Sequence, residues 1–173
     1  MGSSKQTAGM KSVAIWLAFA AAMFVGGLCS GIALAQDGAA VVDKRQDHMK
    51  AQRKDLLAVR AFIVDKDDLA AAQAGGADLA KRVGEIPGLF PKDTGMAQFP
   101  GKSSAKAEIW TEWDKFLAGQ KAALSKAEAL NTALKGGDKA VIATAFDAMI
   151  KGGLFDAGNA CGGCHVPFSE KPA

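Results

Sequence analysis

Val42, Met49, Leu56 and Ile63 fall seven residues apart, with Val59 beside them, and this stripe marks one face of a long helix packed in a bundle. Beyond residue 35 no run of β-branched residues alternates with the period of two that a half-buried strand needs. The rest is rich in Ala, Leu, Lys and Asp, and its pattern predicts four helices. The first spans about residues 41–64. A polar turn follows at residues 65–68, with Asp67 as N-cap of a second helix that reaches about Ile86. Gly75-Gly76 is expected to weaken that helix's middle, and Pro87 to end it. The segment PGLFPKDTGMAQFPGKSS, residues 87–104, is a long loop of the kind that often carries function. A third helix is expected from about Ala105 to Leu134, stopped by Gly136-Gly137. Asp138 caps a fourth, which carries Val141, Ala145, Met149 and Phe155 onward into a cysteine motif. Short turns after the first and third helices favour antiparallel neighbours, hence an all-α, up-down-up-down antiparallel four-helix bundle. That topology gathers the start of the first helix, the long loop, the start of the third helix and the end of the fourth at one end.

The N-terminus reads differently. Lys5 and Lys11 precede an uncharged run, residues 13–35, that closes on Ala33-Leu34-Ala35. A basic start, an apolar core and a small-x-small end describe a secretory signal peptide over residues 1–35, ahead of a domain at 36–173. The run is also long enough to be a retained membrane anchor, since about 20 apolar residues span a bilayer; Gly26-Gly27 and the Ala-Leu-Ala-Gln ending favour cleavage. Leu28 before Cys29 is bulky where a lipoprotein signal needs a small residue. Both main readings place the domain across the membrane, in the periplasm. Removing Lys5 and Lys11 takes two of 21 basic residues and none of the 18 acidic ones, so the net charge falls from +3 to +1. A near-neutral domain is a poor nucleic-acid binder, and no such partner is expected.

Cys161-Gly162-Gly163-Cys164-His165 is a C-x-x-C-H sequence, the attachment site of a c-type haem. Each thiol adds to a vinyl group as a thioether, and the adjacent imidazole reaches the iron. A thioredoxin-like dithiol would need a βαβ setting that this chain lacks. A structural zinc needs four ligands, and His48 alone remains beyond the motif. A plain disulfide would leave His165 unexplained. The expected cofactor is therefore one covalently bound haem c with its iron, held by Cys161, Cys164 and His165.

The motif lies close to the C-terminus of an all-helical exported domain, and the chain resembles the cytochrome c prime family, the class II c-type cytochromes. The resemblance covers residues 41–168. It rests on Arg45-Gln46 with Met49-Lys50, on Leu89-Phe90-Pro91, on Glu108-Ile109-Trp110 with Trp113 and Phe116, and on Cys161 to His165 followed by Phe168. It implies that Met49 occupies the position facing the distal side of the iron. It also implies that Arg45 and Gln46 contact a haem propionate, a role that suits a fork of donors; a capping or surface role is the plain alternative. Met49 lies on the stripe at the haem end, where its thioether can ligate iron as the sixth ligand or merely fill the core. Met96, in the loop, is a second candidate. Met149 lies sixteen residues before His165, roughly 24 Å away along one helix, and is excluded. His48 falls off the stripe and is expected to meet solvent. Trp110, Trp113 and Phe116 are expected to wall the porphyrin. Relatives commonly carry a basic residue four after the histidine, where this chain has Ser169, and Val166-Pro167 is expected to break any helix at once.

Two functions follow. One is a one-electron carrier with a low-spin His165/Met49 haem, serving redox partner proteins. The other is a high-spin, five-coordinate haem protein binding nitric oxide or carbon monoxide. An enzyme ranks last, because a peroxidase needs a distal acid-base pair and only His48 is at hand. Relatives often pair as homodimers through the first two helices, and Arg53, Lys54, Arg60, Lys81 and Arg82 are candidates for that face or for solvent.

Overall fold

Helix α1 (Cys29–Ile63) and helix α2 (Leu69–Glu85) lie antiparallel, joined across their contact by an ion pair from Arg82 Nε to Asp55 Oδ2 at 2.9 Å. The computed structural model describes residues 29–64 and 68–171, and the chain divides into two compact units, Met1–Gln36 and Asp37–Ala173. Of the first unit only residues 29–36 are described, and they are helical. Most of the expected signal or anchor therefore lies outside the described residues. No helix among those described is long and apolar enough to cross a membrane.

The second unit is a four-helix bundle. After α2 comes a 3-10 turn (Ile86–Leu89) and the long loop, then α3 (Glu108–Thr111), α4 (Trp113–Gly136), α5 (Lys139–Ile150) and α6 (Ala160–Phe168). Gln73 Nε2 donates to Leu134 O at 2.9 Å and Gln120 Nε2 to Val83 O at 2.8 Å, so α4 runs antiparallel to α2. Val59, Leu79, Leu130, Leu134, Ile142 and Met149 form the main core. A second cluster of Leu89, Phe90, Ala105, Ile109, Phe116 and Phe168 fills one end, with Met49 packed against it. Among the described residues there is no strand, only an isolated bridge between Ala105 and Ser169.

Several expectations hold locally. Asp138 accepts from Ala140 N at 2.9 Å and Val141 N at 3.1 Å, capping α5. Gly137 closes α4 with φ of 76°, a left-handed conformation that glycine adopts without a Cβ penalty. The cap of α2 is Asp68 rather than Asp67, accepting from Ala71 N at 2.8 Å. Gly75-Gly76 is a contact rather than a weak point. A Cβ on Gly75 would stand 2.9 Å from Asp55 O, and one on Gly76 would meet Leu134 Cδ1 at 2.2 Å. The missing side chains let α1 and α4 approach α2 closely.

The third and fourth predicted helices are each divided. Residues 104–106 pair with the chain end instead of opening a helix: Lys106 N donates to Phe168 O at 3.1 Å and Glu170 N to Ser104 O at 2.8 Å. The helix then starts at Glu108 and is broken at Glu112, whose backbone sits at φ −120°, ψ 41°. Helix α5 ends at Ile150 because Gly152 and Gly153 take positive φ, 82° and 97°. Asn159 rebuilds the direction. Its amide donates to Lys151 O and Gly153 O, both at 2.8 Å, and its oxygen accepts from Gly162 N at 2.8 Å, capping α6. Pro167 does not break α6 at once. The carbonyl left without its donor is that of Gly163, an exposed residue, and Ser169 N closes on His165 O at 3.2 Å.

Candidate functional site

The cap at Asn159 sets α6 so that Cys161, Cys164 and His165 all line one cavity of about 930 Å³, at the upper end of the usual range for small-molecule sites. Gly162 sits between the cysteines because nothing larger fits: a Cβ there would meet the Asp156 carbonyl oxygen at 1.8 Å. On α4, a Cβ on Gly119 would stand 3.1 Å from Cys164 Sγ, so this glycine lets α6 pack closely on α4. Neither cysteine is in a disulfide, and burial pushes the pKa of each thiol up to about 11. Burial also lowers the pKa of His165, which keeps its imidazole neutral and its lone pair available. Its ring packs edge-on against Phe155 at 5.7 Å.

Helix α1 supplies the facing wall. Val42, Arg45, Gln46, Met49 and Leu56 line the same cavity as the thiols and the imidazole, with Phe90 from the loop and Phe116 from α4. Lys50, Arg53, Arg60 and Lys102 also line it and supply positive charge. Two thiols one helical turn apart, a neutral imidazole beside them, apolar walls and nearby cations fit a porphyrin with its vinyl groups, metal and carboxylates.

Arg45 takes a more definite part than the sequence indicated. Its guanidinium is buried. Nη1 donates to Leu89 O at 3.3 Å and Thr94 Oγ1 at 3.1 Å, and Nη2 to Thr94 O at 2.7 Å and Ser103 Oγ at 2.9 Å. The cation also lies 4.5 Å from the centre of the Phe90 ring. Gln46 donates to Lys102 O. Both residues thus tie α1 to the loop that closes the cavity. Replacing Arg45 with alanine would leave several buried oxygens without donors and is expected to destabilise the holoprotein by about 3 kcal/mol, read as a lower denaturation midpoint.

Other sequence candidates fall differently. Met96 is 38% exposed and is not part of the cavity wall; its amide donates to Ala105 O at 2.8 Å. Met149 lines the cavity, because the helix that would have carried it away from His165 ends at Ile150. His48 is not a solvated residue. Its Nε2 lies 2.8 Å from Arg82 O at the end of α2, and its side chain is only 10% exposed. Phe116 walls the cavity, but Trp110 and Trp113 lie outside its lining. Trp110 Nε1 donates to Phe90 O at 3.0 Å, and Trp113 stacks on Phe116 at 5.2 Å. Ser169, four after His165, meets Ser104 Oγ at 3.2 Å. Arg82 is held by Asp55, whose own pKa is raised by burial against the pull of that arginine. Thr94, Ser103 and Asn159 went unrecognised in the sequence. Of these only Asn159 carried a local signal, as a capping residue just before the motif.

The family model for cytochrome C′ matches residues 40–169. A cytochrome c′ of Pararhodospirillum photometricum is 32% identical over 133 residues, covering 76% of this chain and 97% of the relative. Among solved structures, cytochrome c556 of R. palustris superposes with a TM-score of 0.61 at 26% identity, over 77% of this chain and 98% of its own. A cytochrome c′ described as having ligand-controlled dimer dissociation shares the fold, with a TM-score of 0.65 at 18% identity over 78% of this chain and 97% of its own. This chain belongs to the cytochrome c′ family, and covalently attached haem c with its iron is its cofactor.

Proposed function

We propose that the protein is a periplasmic one-electron carrier that serves redox partner proteins through a low-spin haem, with His165 and Met49 as axial ligands. The observation that carries the reading is that Met49 and His165 line one cavity together with both thiols. The bound iron supplies the exchange of a single electron between its ferric and ferrous states. Cys161 and Cys164 fix the porphyrin covalently, and burial of His165 keeps its imidazole neutral and able to ligate. Phe90, Phe116 and Leu56 exclude water. Arg45 and Gln46 hold the loop over the cavity and would face the carboxylates of the bound group, with Lys50, Arg53 and Lys102 as further cations for them. Export rests on the signal-like residues 1–35, and retention of residues 13–35 would add membrane attachment. Pairing of two copies would use the exposed faces of α1 and α2, where Arg53, Lys54, Arg60 and Lys81 lie. The function is carriage rather than catalysis, since the ring of His48 is turned to the carbonyl of Arg82 and supplies no distal acid-base group.

A second reading is a five-coordinate, high-spin haem that binds nitric oxide or carbon monoxide. It is favoured by the packing of Met49 against the apolar cluster of Phe90 and Phe116, where its side chain serves as core filler. An absorption spectrum of the holoprotein separates the two. A sharp low-spin α-band with a methionine-to-iron band in the far red is expected. A broad high-spin spectrum in both oxidation states would transfer the assignment to the second reading.

A further inference from the structure

Five of the side chains that line the cavity are Lys or Arg and none is Asp or Glu, although the basic and acidic residues of the domain nearly balance. Three of the five are already engaged. Arg45 is bound by the loop oxygens, Lys50 pairs with Asp47 at 2.9 Å and Lys102 with Asp43 at 2.8 Å. The guanidiniums of Arg53 and Arg60 have no partner among the described residues. The two carboxylates of a haem sit side by side on one edge of the ring, and Arg45, Lys50, Arg53 and Lys102 are the cations placed for them. Arg60 lies fifteen residues after Arg45, about 22 Å further along α1, so carboxylates held at the Arg45 end leave it uncompensated.

The surroundings of Arg60 are apolar and open. Leu57, one turn before it, is 50% exposed and lines the cavity. Leu154, between α5 and α6, is 44% exposed and lines it too. Val64, whose amide donates to Arg60 O at 3.1 Å, is exposed one turn further on. Exposed aliphatic side chains at the rim of a cavity gain by being covered, and an unpaired cation among them selects an anionic cover. Lys54 and Lys81 lie outside the cavity lining, so α1 and α2 keep a cationic face for pairing of copies apart from this rim. We propose that the rim formed by Arg60 with Leu57 and Leu154 is the docking surface for a redox partner protein that presents carboxylates around an apolar contact. The proposal deepens the carrier reading and rests on it. A partner docked there stands at the end of the cavity away from the haem carboxylates, and a single electron passes from ferrous iron to its oxidised centre, leaving ferric iron.

The test is oxidation of the ferrous holoprotein by an acidic blue-copper protein of the plastocyanin class, followed by stopped flow at about 10 mM ionic strength, where charges act over about 30 Å. Arg60→Glu is expected to lower the second-order rate constant about tenfold and to flatten its dependence on salt. Arg60→Gln should act in the same direction by a smaller factor, which covers the case in which a reversed charge strains the helix. With the cationic oxidant tris(phenanthroline)cobalt(III) the sign should reverse, Arg60→Glu reacting faster than the parent. Lys126→Glu makes the same change of charge on the exposed side of α4 and is expected to stay within about twofold of the parent. Equal losses in Arg60→Glu and Lys126→Glu overturn the proposal, because net charge alone would then set the rate. Slower reaction with both oxidants overturns it, because the haem site itself would be damaged. Unchanged rates in both Arg60 variants overturn it as well, and a dimer lost in sedimentation with the rates unmoved would make the rim a face between copies. The axial reading is judged on the absorption spectrum, so a high-spin spectrum would sink that reading while the rates still decide the surface.

Discussion

With Cys161 and Cys164 both replaced by alanine, the purified protein is expected to yield all of its haem to acidified acetone, whereas the parent protein yields none. Haem staining after denaturing electrophoresis should vanish with it. The two thiols lie one turn apart on α6 and line the same cavity, so each can reach one side of a bound porphyrin. Their raised pKa in the folded, buried setting means that almost none of either thiol is ionised near neutrality. Single replacements should retain one thioether and with it resistance to extraction. Covalent haem persisting in the double variant would contradict the assignment of both residues.

The second large effect is expected at Met49. Met49→Ala should convert a low-spin spectrum to a high-spin one, abolish the methionine-to-iron band, lower the midpoint potential and open the ferrous protein to carbon monoxide. A thioether favours the ferrous state, so its loss favours the ferric state. The side chain is packed against Phe90, Phe116 and their neighbours, and truncating it also removes apolar contact. That packing loss is expected to be at the low end of the 2–5 kcal/mol usual for methionine in a core, because Met49 is only partly buried. The spectral change distinguishes a ligand from a core filler. A filler would cost stability and leave spin state and potential where they were.

Much of this architecture could be read from the chain before any coordinates. The seven-residue stripe on α1, the Gly137 and Asp138 junction and the C-x-x-C-H motif are local signals whose geometry follows from a few neighbouring residues. The features that escaped reading depend on partners distant in sequence. Arg45 has its acceptors at Leu89, Thr94 and Ser103, 44 to 58 residues away, and nothing near Arg45 announces them. Periodicity turns His48 toward solvent, but the last turn of α2 covers it. Gly75 and Gly76 have low helix propensity, yet tertiary approach of Asp55 and Leu134 makes small size the deciding property. The division of the last helix was missed for a related reason. Apolar periodicity runs smoothly past Ile150, and only the conformations of Gly152 and Gly153 with the triple bonding of Asn159 reveal the turn. A continuous helix would carry Met149 far from His165, whereas the turn leaves both lining one cavity.

The short bridge between Ala105 and Ser169 has a mechanical corollary. The residues just after His165 are fastened to the loop, and Arg45 fastens that loop to the helix bearing Met49. Both axial candidates therefore belong to segments joined through the loop by hydrogen bonds, with Phe168 packed edge-on against Phe116. On the proposed carrier reading, a frame tied on both flanks would resist movement of either candidate ligand when a bound metal changed charge. Little nuclear rearrangement would then accompany each transfer, which is the condition under which an electron can hop quickly in both directions.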